Sequence, residues 1–191
     1  MLLSEMHRFP ESWMLDFSKS PKWTYPAAIV LDGAEQLYAK TGKKEYYDYI
    51  SNFGEKLVKE DGTILTYELE KYNIDLLNSG NVLLYHYEKE KKEKNLKALQ
   101  TLRLQIKGQP RTNEGSFWHK KIYPYQVWLD GLYMGMPFYA HYTKDFSKGN
   151  DAAKAYDDIV FQFDSVQKNL SDKKTGLLYH AWDESRQQAW A

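Results

Sequence analysis

Apolar residues recur every three to four positions along most of this chain, which is the spacing of amphipathic helices. The first such stretch predicts a helix from about Pro26 to Lys40, which Thr41-Gly42 is expected to end, because glycine readily adopts the left-handed conformation of a helix terminus. The same spacing predicts five further helices over these approximate ranges: 46–57, 76–88, 95–107, 132–140 and 156–170. The chain is therefore predicted to be all-α.

Two short segments interrupt this helical pattern. Residues 63–67 are a candidate strand, and Asp61-Gly62 is expected to stop the helix that precedes them. The charged run at residues 88–94 is interpreted as a solvated turn without a function, because a dense mixture of Lys and Glu is typical of an exposed connection.

The helices form pairs, and the pairs repeat along the chain. Tyr38, Tyr85 and Tyr139 each follow an apolar residue near the end of the first helix of a pair, and they are about 50 positions apart. A repeat of this length built from helix pairs predicts a helical solenoid or a closed toroid. One domain is expected over residues 1–191.

Three long connections distinguish an enzyme from a repeat scaffold. Residues 63–75, 109–130 and 171–191 are rich in Trp, Tyr, His, Arg and Asp, and long connections of this composition are usually functional. Each follows the second helix of a pair, so in an alternating arrangement of helices they emerge at the same end. The sequence therefore predicts one site that all three connections build.

Composition excludes several classes of function. The 26 Lys and Arg residues balance 26 Asp and Glu residues, so no basic field is available to hold nucleic acid or a membrane surface. Without Cys the chain has no thiol nucleophile and no thiolate metal site, and no apolar run is long enough for a membrane helix. Aromatic residues make up 16% of the chain, and their faces pack well against the C–H patches of a sugar ring.

Asp75 and Asp130 are the candidate catalytic residues. Each directly precedes the first helix of a pair, so the repeat places both carboxyl groups at the same end. Asp at such a position is also a favoured helix cap, and this alternative stays open for each. Two close carboxyl groups do not both ionise at low cost, so burial is expected to raise the pKa of one of them enough for it to act as a general acid.

Polar side chains in the long connections are candidate ligand-binding residues. His119, Lys120 and His180 suit hydrogen bonds to sugar hydroxyls or to a uronate carboxylate. His119, His180, Asp130 and Asp183 form an alternative metal-ligand set, but the close His spacings of zinc motifs are absent. No metal and no cofactor is therefore expected.

Six strings of the sequence carry a family resemblance over nearly the whole chain. They begin at Trp23 (Trp-x-Tyr), Tyr72 (Tyr-Asn-Ile-Asp), Gln109 (Gln-Pro-Arg-Thr), Gly115 (Gly-Ser-Phe-Trp-His-Lys), Trp128 (Trp-Leu-Asp-Gly-Leu-Tyr-Met) and Thr175 (Thr-Gly-Leu-Leu-Tyr-His-Ala-Trp-Asp-Glu-Ser). These strings are similar, in the same order, to those of the unsaturated rhamnogalacturonyl hydrolases of glycoside hydrolase family 105. The resemblance implies an (α/α)6 barrel, which is a helical toroid.

The resemblance also implies a substrate and a reaction. The substrate is the 4,5-unsaturated galacturonyl group at the non-reducing end of rhamnogalacturonan oligosaccharides. A carboxylic acid protonates C4 of its double bond, water adds at C5, and the resulting hemiketal opens to release the sugar. The resemblance implies that Asp130 is this acid and that its carboxylate then takes a proton from the water. It also implies that Asp75 is the partner carboxylate. The residues expected to bind the substrate are His119, Lys120, Trp128, His180 and Tyr25.

The chain departs from the family pattern in three places. Ser116 stands where the family usually has Gly, and Tyr125 where it has Asn, which is expected to reshape the pocket wall. The chain also ends at Ala191, before a segment whose Arg binds the uronate carboxylate in the family. Six helix pairs need about 300 residues to close a toroid. We therefore expect an incomplete half, truncated at the C-terminus, that is poorly soluble, associates with other copies through its exposed helix flanks, or is weakly active.

Two alternative functions and the location stay open from the sequence. One alternative is a non-catalytic helical-repeat module that binds acidic oligosaccharides or a protein, and the other is a hydrolase of unsaturated glucuronyl groups. The first residues lack the pattern of an export signal, which favours the cytoplasm. A clipped N-terminus would leave the periplasm open.

Overall fold

Helices dominate residues 1–190, which are the residues that this computed structural model describes. Ala191, with which the predicted domain ends, lies outside them. The helices within this range are α1 Leu2–Arg8, α2 Tyr25–Thr41, α3 Lys44–Leu57, α4 Asp75–Glu90, α5 Glu93–Gly108, α6 Asp130–Phe146 and α7 Gly149–Leu170. Two 3-10 segments, Ser12–Phe17 and Leu69–Lys71, and two short strands, β1 Gln126–Trp128 and β2 Ala181–Asp183, are the other elements in this range. The six helices predicted from hydrophobic spacing are confirmed as α2 to α7, in three consecutive pairs.

The chain folds into two compact units. The first contains Met1–Tyr67 and Leu76–Leu102, and the second contains Glu68–Asp75 and the chain from Arg103 onward. The expectation of a single domain over residues 1–191 stays a prediction.

Helices α2 and α3 pack along each other in the first unit. Gly42, with a φ of 65°, ends α2 as the sequence predicted. Trp23 is buried in this unit, where its ring centroid lies 5.5 Å from that of Phe53. Its indole N–H donates to the carbonyl of Leu76 at 2.8 Å. One side chain therefore ties the segment before α2 to both α3 and α4.

The charged run at residues 88–94 contains the predicted turn between two helices and is largely exposed, but Lys94 departs from the prediction. Helices α4 and α5 extend into it from both sides. Lys94 is buried, and its ammonium contacts the carboxylates of Glu55 and Glu60 at 3.0 Å. A buried ammonium is costly unless it is paired, so the position of this lysine depends on the two glutamates.

Residues 63–67 do not form the predicted strand. Ile64 makes only an isolated antiparallel bridge, and Thr66 has a φ of 63°, which lies outside the extended region. The helix that was expected to stop at Asp61-Gly62 has already ended before them. Asp61 accepts a hydrogen bond from the amide of Thr63, which closes a tight turn before Ile64.

Helices α6 and α7 pack together in the second unit. Beside them β1 pairs antiparallel with β2, and Val127 lies opposite Trp182 in the register. Val127, Val166 and Leu170 are buried in one cluster. The sequence did not predict this strand pair, because three residues are too few to show an alternating pattern. The pairing holds the connection after α7 against the segment that leads into α6.

Part of the surface of α6 and α7 is apolar and exposed. Tyr133 on α6, and Val160 and Phe163 on α7, each expose about half of their surface. Association of copies through such flanks stays a prediction. No helix within residues 1–190 is both long and apolar enough to cross a membrane.

Leu99→Ala is expected to lower the free energy of unfolding by about 2–5 kcal/mol, because Leu99 on α5 is fully buried and its truncation leaves a cavity. Leu104→Ala on the same helix is the matched control, since Leu104 is exposed and its truncation should change this free energy by less than about 0.5 kcal/mol. Chemical denaturation measures both. Equal losses in the two variants would contradict the burial of Leu99 and the exposure of Leu104.

Candidate active site

Asp75 is the first residue of α4, and its carboxylate is buried. One carboxylate oxygen lies 3.0 Å from Nε2 of His119, and the other lies 2.7 Å from Nζ of Lys120. The main chain joins the same segments, because the amide of Ile74 donates to the carbonyl of His119 at 3.0 Å. The connection before α4 and the connection before α6 therefore meet at Asp75.

These contacts decide the charge of Asp75. Burial acts to raise the pKa of this carboxyl group, but the hydrogen bonds and charges of His119 and Lys120 outweigh it and hold the pKa below its ordinary value. Asp75 is consequently an anion at neutral pH. The sequence predicted that one carboxyl group of the pair would have a raised pKa, and for Asp75 the shift is in the opposite direction.

Asp130 is the first residue of α6 and does not cap that helix. The capping position is Leu129, with no side-chain hydrogen bond to the first turn. One carboxyl oxygen of Asp130 is buried and has no hydrogen-bond partner among the described residues, and the same holds for Nδ1 of His119. Buried polar atoms without partners are rare and often mark a functional site. The interpretation of Asp130 as a helix cap is therefore wrong.

The two carboxyl groups lie close together, as their equivalent positions in the repeat predicted. One carboxylate oxygen of Asp75, one ring nitrogen of His119 and one carboxylate oxygen of Asp130 all lie within 4.8 Å of one another. The catalytic roles of the two acids stay predictions, but their proximity is part of the structure.

An aromatic stack forms one wall of this cluster. The ring of Trp128 lies parallel to that of His119 at 4.6 Å and parallel to that of Tyr123 at 5.4 Å. The indole N–H of Trp128 donates to Oε1 of Gln126 at 3.1 Å. The ammonium of Lys120 lies 5.9 Å from the centre of the Trp128 ring. Two stacked rings and one hydrogen bond thus fix the orientation of the indole.

Sequence reasoning missed Gln126 and Tyr123. Alternate residues of a strand lie on the same face, so β1 places Gln126 beside Trp128, but a strand of three residues left no pattern to reveal this. Tyr123 lies in the connection before α6 and was not distinguished from the other tyrosines of the chain.

The remaining predicted binding residues lie in different places. His180 is exposed, its ring is 5.4 Å from that of Trp128, and its carbonyl accepts a hydrogen bond from the amide of Leu129. It therefore belongs to the same cluster. Tyr25 is the first residue of α2 in the first unit, and its part in binding stays a prediction.

A cavity of about 530 Å³ opens beside the aromatic stack, within the usual size range of small-molecule sites. Its walls carry aromatic rings and a few polar groups, which is the composition that a sugar requires. The lining residues are Tyr123, Gln126, Trp128, Tyr179, His180, Ala181, Gln188 and Trp190. The departures expected to reshape this wall do not line it: Ser116 is buried against Ser165, and the ring of Tyr125 packs on Trp118.

The cluster of Asp75, His119 and Asp130 has the donor types of a cation site, but its electrostatics oppose one. The ammonium of Lys120 already neutralises Asp75 at 2.7 Å and would repel a cation there. The alternative set with Asp183 does not form, because the Asp183 carboxylate accepts hydrogen bonds from Ser185 and the following amides.

Comparison with known proteins identifies relatives of the chain. The model of Glycosyl Hydrolase Family 88 matches residues 1–191. The unsaturated rhamnogalacturonyl hydrolase YesR of Bacillus subtilis is 24% identical over 182 residues, which cover 92% of this chain and 48% of YesR.

Solved structures agree with this match. A family 105 glycoside hydrolase of C. acetobutylicum is 47% identical with a TM-score of 0.85, over 94% of this chain and 49% of that one. A possible family 105 member of Salmonella enterica is 24% identical with a TM-score of 0.72, over 86% and 42% of the two chains, and shows the fold alone. The chain spans about half the length of the relatives it matches.

These relatives confirm the predicted fold class, since family 105 structures are (α/α)6 helical toroids. They also confirm the family that the six sequence strings indicated. Both the matched family model and the 47% identical structure describe glycoside hydrolases. The chain belongs to Glycosyl Hydrolase Family 88, whose model matches residues 1–191, and its structural relatives place it in family 105.

Proposed function

We propose that this chain binds the 4,5-unsaturated galacturonyl end of rhamnogalacturonan oligosaccharides and removes it by hydrating the double bond. The observation that carries the proposal is the unequal environment of two neighbouring carboxyl groups. Asp75 is paired with two nitrogen donors, whereas a buried oxygen of Asp130 has no hydrogen-bond partner among the described residues. Membership of a family that acts on unsaturated uronides supports this chemistry.

Asp130 is the proton donor in this proposal. Its acid gives a proton to C4 of the enol ether, the ring oxygen shares the positive charge that develops at C5, and water adds at C5. The carboxylate left on Asp130 takes a proton from that water, which restores the acid. The hemiketal then opens to a ketone at C5, and its proton passes to the former ring oxygen, so that C1 becomes a hemiacetal. This hemiacetal collapses to an aldehyde, and its hydroxyl proton goes to the remaining oligosaccharide, which leaves as an alcohol.

Asp75 keeps its negative charge throughout this sequence. Since His119 and Lys120 stabilise the anion, it does not compete with Asp130 for the proton. The cavity beside Trp128 holds the sugar that leaves, with rings that pack against its C–H faces.

The choice of a galacturonyl group rests on the relative YesR, which is named an unsaturated rhamnogalacturonyl hydrolase. Incubation with an unsaturated galacturonyl disaccharide and, separately, an unsaturated glucuronyl disaccharide tests it through the loss of ultraviolet absorbance of the double bond. Faster loss with the first supports the proposal. Faster loss with the second would transfer the assignment to glucuronyl substrates, and no loss with either would indicate a non-catalytic binding module.

Asp130→Asn is expected to reduce turnover by about 10²- to 10⁴-fold, because the amide has no proton to donate. The fold should persist, since the unpaired Asp130 oxygen has no hydrogen bond to lose. Initial rates of double-bond loss measure the first effect, and circular dichroism measures the second.

Asp157→Asn serves as the matched control, because Asp157 is exposed on α7. It should keep the activity of the parent. An Asp130→Asn variant that retained more than about a tenth of the parent rate would remove Asp130 from the role of acid.

Asp75→Asn should change how stability depends on pH. The pKa of Asp75 in the folded state lies below its ordinary value of 3.8, so the carboxylate stabilises the fold above this pH and loses the effect as pH falls through the lowered pKa. The parent should therefore exceed the variant in free energy of unfolding at pH 6, and the difference should shrink by pH 3. Urea denaturation at both values tests this. A difference that does not depend on pH would mean that Asp75 is not a stabilised anion.

A further inference from the structure

Gln109 is buried immediately after the end of α5 and uses its whole side-chain amide. Its Nε2 donates to the carbonyl of Tyr72 and to the carbonyl of Trp118, both at 2.8 Å. Its Oε1 accepts a hydrogen bond from Nε2 of Gln105 at 3.1 Å. The two N–H donors of one amide group therefore bridge two separate segments of main chain.

Both bridged segments lead directly to the ion pair of the candidate site. Tyr72 lies three residues before Asp75, and Trp118 immediately precedes His119 and Lys120. We propose that Gln109 is a positioning residue, which sets the distance between Asp75 and its two partners through the main chain. It touches neither the carboxylate nor the proposed substrate cavity.

The segment before Asp75 has a backbone that needs such support. Tyr72 has a φ of 44°, in the left-handed region that side chains other than glycine rarely adopt. Its ring passes so close to Gly108 that a Cβ at that position would lie 2.9 Å from the Tyr72 hydroxyl. Contact with Gly108 fixes the side chain of Tyr72, and the hydrogen bond from Gln109 fixes its carbonyl. Without the hydrogen bond from Gln109 the Tyr72 carbonyl could move, while the Tyr72 ring would still pack against Gly108.

Other contacts between the two segments do not replace this bridge. The amide of Ile74 donates to the carbonyl of His119 at 3.0 Å, which sets one point of contact. The amide of Lys121 also donates to the carbonyl of Lys71 at 3.3 Å. Neither of these two bonds reaches the carbonyls of Tyr72 and Trp118, which are joined through Gln109. A misplacement of about 1 Å in a catalytic site costs on the order of 100-fold in rate.

Gln109→Met tests the inference, because Met matches the length of Gln and cannot donate to either carbonyl. The inference rests on the proposed function where it concerns turnover, so a second readout is independent of activity: titration of the Asp75 carboxyl carbon by NMR, assigned with Asp75→Asn. We expect kcat to fall by about 10- to 100-fold. We also expect the pKa of Asp75 to rise toward its ordinary value as His119 and Lys120 move away.

Gln162→Met is the matched control. Gln162 is equally buried and accepts a hydrogen bond from the amide of Phe117, so it holds the segment before His119 but does not reach Tyr72. It should lower stability without changing the Asp75 titration. If Gln109→Met does not fold, Gln109→Asn retains an amide but is one methylene too short for both carbonyls, and the same titration decides.

An Asp75 titration in the folded Gln109 variant that equals that of the parent would overturn the inference, and Gln109 would then have a structural role only. If the parent shows no turnover, the proposed function fails while the NMR titration still tests Gln109. A rise in the pKa of Asp75 in the Gln109 variant but not in the Gln162 variant supports the positioning role, whether or not the parent shows turnover.

Discussion

The pairing of the buried Asp75 carboxylate with His119 and Lys120 is the interaction on which the proposed chemistry depends. A carboxyl group buried without partners tends to become neutral. Two neutral carboxylic acids side by side would not supply one anion and one proton donor. The two nitrogen donors keep Asp75 ionised, and Lys120 makes the cluster unfavourable for a cation. Asp130 is then the carboxyl group with an uncommitted buried oxygen, and it is the one available to exchange a proton with a ligand.

The sequence predicted the helices and the meeting of the two acids, because both follow from regular patterns. Hydrophobic spacing indicates which face of a helix is buried, and the repeat of helix pairs puts equivalent positions at the same end. Asp75 and Asp130 occupy such positions, so their proximity followed from the period alone. The sequence strings around Trp128 and His180 indicated the family. In the structure the centroids of these two rings are 5.4 Å apart.

The features that the sequence did not predict depend on side-chain contacts and orientations that hydrophobic spacing does not show. Lys94 looked like part of a solvated run, but it is buried against Glu55 and Glu60. Asp130 looked like a helix cap, because composition cannot show whether a side chain turns toward the first amides or away from them. The two bonds of Gln109 join the carbonyls of Tyr72 and Trp118, which are 46 positions apart, and carbonyls have no sequence signature.

The order of two events in one reaction tests the account most directly. Double-bond absorbance and the released aglycone are followed in the same samples, with enzyme in excess over an unsaturated galacturonyl disaccharide. Hydration led by Asp130 predicts that the absorbance falls before the aglycone appears or together with it, since water must add at C5 before C1 can open. Aglycone that appears while the absorbance persists would contradict this account and indicate ordinary hydrolysis at the anomeric carbon.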